Sequence, residues 1–314
     1  MDEVSLSIVI VNWNVRDLLR ACLQSVQQQM RLPETCYEVI VVDNQSTDGS
    51  VAMLEKEFPG VRLIANPHNP GFGKANNQAL PLCRGKYILL LNPDTVILDH
   101  ALDKMLARME GEPSIGALGC RLLNGDGTLQ RWTGGSFPTL WTVACHYFFL
   151  SQLLPRGFRP ASLYLDSDVP SSIDVDWVSG ACLLLRREEV GDYIFDDAFF
   201  MYGEDMELCH RLKKAGQRVV YMPEVSIIHY QGASMKQQKG EVLLTSLKGL
   251  RSFYARVNGP AHVWAVDWIT IIGFLLRWAA YRAASIVRPG GGYAERARSS
   301  LSYASMARRI MAGS

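Results

Sequence analysis

An α/β fold, with a mostly parallel sheet covered by helices on both faces and a helical C-terminal extension, is predicted by three features. Short β-branched runs alternate with helical spacing over the first 91 residues, and such alternation builds βαβ units. Polar clusters fall where those runs end: Asn12-Trp13-Asn14, Asp43-Asn44 and Asn92-Pro93-Asp94. In open α/β sheets, ligands bind at those carboxyl ends. Beyond Lys239 the spacing stays helical until Pro289-Gly290-Gly291-Gly292 breaks it.

Ser7-Ile8-Val9-Ile10-Val11 is too short for a helix and rich in β-branched residues, which predicts a buried strand. Leu18, Leu19, Cys22, Leu23 and Val26 then recur at helical spacing between Asp17 and Gln29. Glu38 to Val42 reads as the second strand, with a helix over 50–58. Val61 to Ala65 makes a third strand with a helix over 73–82, and Lys86 to Leu91 a fourth strand. From Arg131 to Ser172 Gly, Pro and aromatics replace periodicity, predicting a long loop region. Order returns with Ile173 to Trp177 and Ala181 to Leu185. A helix from Glu204 to Ala215 is closed by Gly216 as its C-cap. Gln217 to Tyr221 and Val225 to His229 read as two short closing strands. The expected domains are 1–239 and 240–314.

A chain of 314 residues that is 48% hydrophobic can bury a sizeable core, which excludes disorder for most of its length. Thirty-two basic against thirty-one acidic residues leave a net charge of +1, so no bulk field points to nucleic acid. Seven scattered cysteines without a C-x-x-C argue against a disulfide framework or a structural zinc site and fit a reducing compartment. The acidic start and an apolar stretch that ends at Asn12 read as a strand, not a signal peptide. The charge is unevenly placed. Residues 277–314 hold seven Arg and one Glu, a charge of +6, which leaves the preceding 276 residues at −5. A basic tail on an acidic body predicts an anionic partner.

Val263 to Tyr281 carries Trp264, Trp268 and Trp278 but also Asp267 and Arg277, leaving a charge-free core of nine residues. A spanning helix needs about twenty apolar residues. The expectation is therefore an interfacial helix that sinks Trp264, Trp268, Ile271, Leu275 and Trp278 into a membrane surface, with the following arginines on anionic lipid. Packing on the first domain or on a second copy, in a homo-oligomer, is the other reading.

Several side chains stand out as candidates. Asp43 ends a strand, where a carboxylate accepts hydrogen bonds from a base or ribose; Asp48 serves ligand contact or helix capping equally well. Asp94 is a lone carboxylate in an open loop, which suits Mg²⁺ or Mn²⁺ completed by substrate phosphates. Glu204 and Asp205 follow Gly203 and four large residues, and open a helix. His229 ends an apolar strand, while His210, beside Arg211 on a helix, reads as structural. Trp177 suits stacking on a sugar ring or packing in the core.

Five segments share order and spacing with one family: Ser7 to Asn14, Val42 to Ser50, Asn66 to Asn77, Leu89 to Thr95 and Tyr202 to Arg211. Together they resemble glycosyltransferase family 2, and within it the bacterial rhamnosyltransferase-like branch, over about residues 5–232. The resemblance implies a GT-A fold and inverting transfer from a nucleotide-diphosphate sugar, assisted by Mg²⁺ or Mn²⁺. It implies that Asp43 holds base or ribose, that Asn76 lines the donor pocket, and that Val11, Asn12, Asn14, Asp48, Asn92, Trp177 and Glu204 complete the substrate site. Asp94 becomes the metal acid of a D-x-D whose first position is Asn92, His229 a further metal ligand, and Asp205 the general base. A Q-x-x-R-W segment, the mark of the family's processive synthases, is absent from the sequence, which implies one sugar per acceptor.

The expected partners are thus a nucleotide-sugar donor, best dTDP-rhamnose, and a lipid-linked saccharide acceptor at the cytoplasmic face of the inner membrane. UDP-hexose or UDP-GlcNAc is the rival donor, and a non-catalytic nucleotide-sugar-binding or membrane-scaffold protein the rival class. The acid set Asp43, Asp94 and Asp205 argues against the latter. A nucleotidyltransferase would need a Gly-rich basic loop after the first strand, and Asn12-Trp13-Asn14 is not one.

Overall fold

The structure, a computed structural model, describes residues 4–131, 133–150, 154, 163–165, 169–230 and 239–313. It divides into two compact units, Met1–Ser136 with Tyr164–Lys239, and Phe137–Leu163 with Gly240–Ser314. Residues 137–150, which the sequence leaves inside the first domain, therefore group with the C-terminal helices.

The first unit begins with β1 (Leu6–Asn12), α1 (Arg16–Gln29), β2 (Tyr37–Asp43), α2 (Ser50–Glu57), β3 (Arg62–Ala65), α3 (Phe72–Ala79) and β4 (Tyr87–Leu91). These match the expected elements within a few residues. β1 is buried throughout, because it lies between two parallel neighbours and helices cover both faces. Its core residues Leu6, Ile8, Val9 and Ile10 are fully enclosed, each worth about 1.5–3 kcal/mol relative to exposure. The register sets Asn12 beside Asp43 and Ile10 beside Leu91, so three strands end at one edge.

Next come β5 (Thr95–Ile97), α4 (Ala101–Gly111) and β6 (Ile115–Leu123), a stretch that carried no expectation. β7 (Gly134–Gly135), β8 (Ile173–Asp174), β9 (Trp177–Val178), β10 (Cys182–Arg186), a one-turn helix α6 (Arg187–Val190), α7 (Glu204–Lys214) and β11 (Arg218–His229) complete the unit, and α5 (Leu140–Tyr147) belongs to the other. Among the described residues the main sheet runs β3-β2-β1-β4-β10-β6-β11-β5, with β8 also on β11. It is mixed: β10 runs antiparallel between β4 and β6, and β5 and β8 run antiparallel to β11.

Three expectations change here. The two closing strands are one continuous β11, which passes Pro223 by a register shift between Met222 and Ser226. The expected strand 173–177 is two short pieces in two sheets, with β9 pairing β7. The expected loop region 131–172 contains α5 (Leu140–Tyr147), started by a capping box in which Thr139 and Thr142 bond reciprocally. Part of that region lies outside the described residues. Gly216 does close α7, at φ +88°.

Arg186 ties the new elements down. Buried at the end of β10, it donates to the carbonyls of Met109, Glu112 and Ile115 and lies over the Tyr87 ring. It thereby satisfies carbonyls at the end of α4 that the helix itself leaves open.

The second unit contains α5, α8 (Lys239–Val257), α9 (Pro260–Val287) and α10 (Tyr293–Met311). Small residues Ala297, Ser300, Ala304 and Ala307 form the buried face of α10, and Gly273 on α9 leaves room for Tyr147. Of the three charges of α9, Asp267 and Arg277 are partnered inside this unit and Arg282 is exposed. Asp267 pairs with Arg251 of α8 at 3.2 Å, and Arg277 donates to the carbonyls of His146 (2.6 Å) and Tyr147 (3.3 Å). With 28 residues and an 18-residue window of mean hydropathy 1.4, α9 is long and apolar enough to cross a membrane by length and composition, which the count of charge-free residues alone did not allow. Its outer face exposes Trp264, Trp268, Ile272, Leu275, Leu276 and Trp278, whereas Ile271, expected outside, is 2% exposed and packs on the core side.

Candidate active site

The carboxyl ends of β1 and β2 carry a tight polar network. Asp43 is buried, its Oδ1 accepting from Asn12 Nδ2 (2.7 Å) and its Oδ2 from the Ser46 amide (2.8 Å). Asn12 Nδ2 also donates to Ser46 Oγ, while Asn12 Oδ1 is buried with no hydrogen-bond partner. Asn14, at φ +54°, accepts from the Thr47 amide (2.7 Å) and donates its own amide to Ser46 Oγ. Val11 is enclosed behind this layer. Asn44 extends the network, accepting from Asn66 and donating to Asn69. Asn76, on α3, donates to the Phe72 carbonyl, and its Oδ1 too is buried without a partner. A buried acceptor left unpaired costs about 1–3 kcal/mol, so Asn12 and Asn76 are suited to receive a donor from a ligand.

Asp48 belongs to the helix start rather than to this cluster. Its Oδ1 accepts from the amide and hydroxyl of Ser50 and its Oδ2 from the Arg16 amide (2.7 Å). Both oxygens are thus engaged in tying α1 to α2, which is the capping alternative rather than ligand contact.

Asp94 and His229 stand together where β5 pairs with the end of β11. Asp94 Oδ1 lies 3.2 Å from His229 Nε2, and Asn92 Nδ2 lies 3.3 Å from the same nitrogen. Gln130, which sequence reasoning passed over, sets the ring. Its Nε2 donates to the His229 carbonyl (2.5 Å), which turns its Oε1 toward Nδ1 (3.0 Å). In the neutral ring this contact favours the tautomer with its proton on Nδ1, which turns the Nε2 lone pair toward Asn92 and Asp94.

One carboxylate oxygen and one imidazole nitrogen 3.2 Å apart fit adjacent ligands of an octahedral divalent ion, which at ligand distances of about 2.1 Å would be about 3.0 Å apart. No third acid, His or Cys joins them among the described residues. Such an ion would take its remaining ligands from phosphate and water, as Mg²⁺ does.

Glu204 and Asp205 open α7. Gly203 precedes them at φ +94° and Tyr202 at φ +68°, a left-handed pair that reverses the chain into the helix. Asp205 Oδ1 accepts from the Met206 amide (2.9 Å) and Oδ2 from the Gly180 amide (3.4 Å). Burial pushes both carboxyls up, Glu204 to about 8 with help from the Asp205 charge, Asp205 to about 6 against the two backbone donors. At neutral pH Asp205 is the ionised member and Glu204 keeps its proton. The resulting anion is poorly hydrated, with a proton affinity matched to general-base work.

Trp177 takes the core reading. It is 6% exposed, its Nε1 donates to the Ser136 carbonyl (3.3 Å) and its ring meets Tyr164 edge-on, so it offers no free face to a sugar.

The pattern of the family described as Glycosyl transferase family 2 matches residues 7–168. The chain belongs to glycosyltransferase family 2. It is 29% identical over 262 residues to the N-acetylglucosaminyl-diphospho-decaprenol L-rhamnosyltransferase of Mycobacterium tuberculosis, covering 80% of this chain and 84% of that one. It is 28% identical over 234 residues to the rhamnosyltransferase WbbL of Escherichia coli K12, covering 71% and 82%. Among solved structures it resembles the mannosyltransferase PcManGT from Pyrobaculum calidifontis in complex with GDP-Man and Mn²⁺. There the TM-score is 0.56 at 14% identity, over 98% of this chain and 87% of that one. The fold is accordingly GT-A-like, and the protein is a glycosyltransferase that uses a nucleotide sugar.

For this glycosyltransferase, the Gln130 contact makes a direct forecast. Nitrogen-15 NMR of the His229 ring should report a protonated Nδ1 and a bare Nε2. In Gln130→Leu that preference should weaken or invert, and an unchanged tautomer would remove Gln130 from the site.

Proposed function

We propose that this family 2 enzyme transfers one rhamnose, with inversion, from dTDP-rhamnose to a lipid-linked saccharide in the synthesis of a cell-surface polysaccharide. The observation that carries the catalytic part is Asp205, half-buried, ionised at neutral pH and held by two amides at the mouth of α7. The choice of sugar and acceptor is supported by the rhamnosyltransferases that align over most of both chains, one of them named for a decaprenol-linked substrate.

In this reading Asp43 and Asn12 hold the base or ribose, and Asn76 faces the donor. The Asp205 carboxylate takes the acceptor hydroxyl proton as that oxygen bonds to the anomeric carbon and the bond to the diphosphate breaks. Protonated Glu204 keeps the pair at a single negative charge, so Asp205 is not driven further up. Asp94 and His229 would hold a divalent cation, which when bound supplies positive charge to the departing diphosphate.

The exposed face of α9 has the composition of a membrane-interfacial surface: Trp264 is 63% exposed, and Trp268, Ile272, Leu275 and Leu276 continue the stripe. Arg288, Arg296, Arg298, Arg308 and Arg309 follow it along the chain, each contributing roughly 1 kcal/mol near an anionic leaflet. A cytoplasmic-face location agrees with seven free thiols. Anchoring at a surface concentrates an enzyme against a lipid-linked acceptor.

Asp205→Asn should leave dTDP-rhamnose binding near normal and lower kcat by about 10²–10⁴. In the unaltered enzyme kcat should fall as pH drops through about 6, because the raised carboxyl then takes up its proton and can accept no other. Retention of most activity by Asp205→Asn would remove it as the base.

Asp94→Ala should weaken donor binding in Mn²⁺ far more than in EDTA. An equal loss in both, measured by calorimetry, would mean that Asp94 acts without metal.

Serine at Trp264, Trp268 and Leu275 in the full chain should release it from phosphatidylglycerol vesicles with transfer to a soluble acceptor retained. If the unaltered protein leaves native membranes only with detergent, and never with salt or alkali, α9 spans instead.

A further inference from the structure

The side-chain amide of Asn77, on α3, reaches 118 residues along the chain to a segment with no regular ladder of its own. Its Nδ2 donates to the Phe195 carbonyl (2.7 Å) and to Asp197 Oδ1 (3.4 Å), while its Oδ1 accepts from the amides of Ile194 (2.9 Å) and Phe195 (3.0 Å). An amide alone supplies both a donor and an acceptor to adjacent backbone groups in this way.

From that clamp the chain lies along the first turn of α3. The rings of Phe72 and Phe195 meet with centroids 5.6 Å apart. A side chain at Gly73 would approach Cβ of Phe195 to 3.3 Å, and one at Gly71 would approach the Phe200 ring to 2.9 Å. Both glycines are thus the floor on which residues 195–200 rest. Phe72 and Asp205 also converge on Gly180, whose missing side chain would lie 3.7 and 3.9 Å from them. Beyond this bed come Tyr202 and Gly203, both left-handed, and then Asp205. Left-handed backbone at a non-glycine residue costs roughly 1–3 kcal/mol and persists only where the surroundings over-determine it.

We propose that Asn77 is a positioning residue: by fastening residues 194–195 to α3 it fixes the path of 196–203, and so the place where Asp205 meets the acceptor hydroxyl. α3 then serves both sides of the reaction, Asn76 facing the donor and Asn77 setting the base. The proposal rests on the reading of Asp205 as the base. A misplacement of about 1 Å in a reacting group can cost about 10²-fold in rate, so a clamp remote from the chemistry has leverage on it.

The test is a cycle of Asn77→Ala, Asp205→Asn and the double variant, with kcat, acceptor KM and donor Kd measured on folded protein. Asn77→Ala should lower kcat by about 10–10² and raise acceptor KM, with donor Kd within about twofold. The double variant should be no slower than Asp205→Asn alone, because Asn77 acts through Asp205. Should Asn77→Ala fail to fold, Asn77→Asp keeps the two bonds from the 194 and 195 amides, loses the donated ones, and should show the same split. Donor Kd weakening as much as kcat falls would overturn the proposal, since Asn77 would then serve the donor pocket. Multiplicative losses in the double variant would overturn it as well. An active Asp205→Asn enzyme is a different failure: it sinks the base reading and the proposal with it.

Discussion

Everything in the first unit depends on β1 being hydrogen-bonded on both sides and buried on both faces. A strand so enclosed tolerates a polar side chain only where a partner satisfies it, as Glu38 and the Gly85 amide do for Ser7, and the run is otherwise apolar until Asn12 at its end. The parallel register then places the ends of β2 and β4 at the same edge, so the polar residues that the core expels from three separate strands collect in one place. The concentration of Asn12, Asp43 and Asn92 at one rim is a consequence of core packing before it is a matter of chemistry.

Amides do much of the holding there. Asn12 bonds to the side chains of Asp43 and Ser46, Asn14, Asn44, Asn66, Asn69 and Asn77 bond to loop backbone or to one another, and Gln130 fixes a histidine ring. An amide satisfies donors and acceptors together without introducing charge, which matters beside carboxylates whose ionisation is sensitive to every added field. Glu204 and Asp205 show that sensitivity. Both lose water and both gain backbone donors, but Glu204 also bears the repulsion of the Asp205 charge, and that difference separates their proton affinities.

The helical unit resolves its charges differently. Asp267 and Arg277 interrupt the apolar stretch of α9, and each turns inward to a partner, one to Arg251 and the other to the carbonyls that end α5. The outward face is left free of both, with tryptophan, isoleucine and leucine exposed. Small residues on α10 and Gly273 on α9 permit the close helix packing that this arrangement requires.

The sequence by itself determined the strand–helix alternation from β1 to β4, the helix opened by Glu204 and Asp205, and the polar strand ends. Those are local properties: β-branched runs, helical spacing and capping glycines act over a few residues. Asp94 and His229 were legible as separate candidates, but their juxtaposition needed β5 and β11 to pair across 130 residues. β5, α4 and β6 carried no expectation, although Ala101, Leu102, Met105, Leu106 and Met109 do recur at helical spacing on α4, and β11 read as two pieces because Pro223 interrupts a strand that its neighbour on β6 keeps continuous. Only the tertiary structure decided that Trp177 is core, that Asp48 ties two helices, that Ile271 faces inward, and that Gln130 and Asn77 matter at all. Each of those outcomes turns on which distant group a side chain meets, and a hydrogen bond over 99 or 118 residues leaves no period in the sequence to be read.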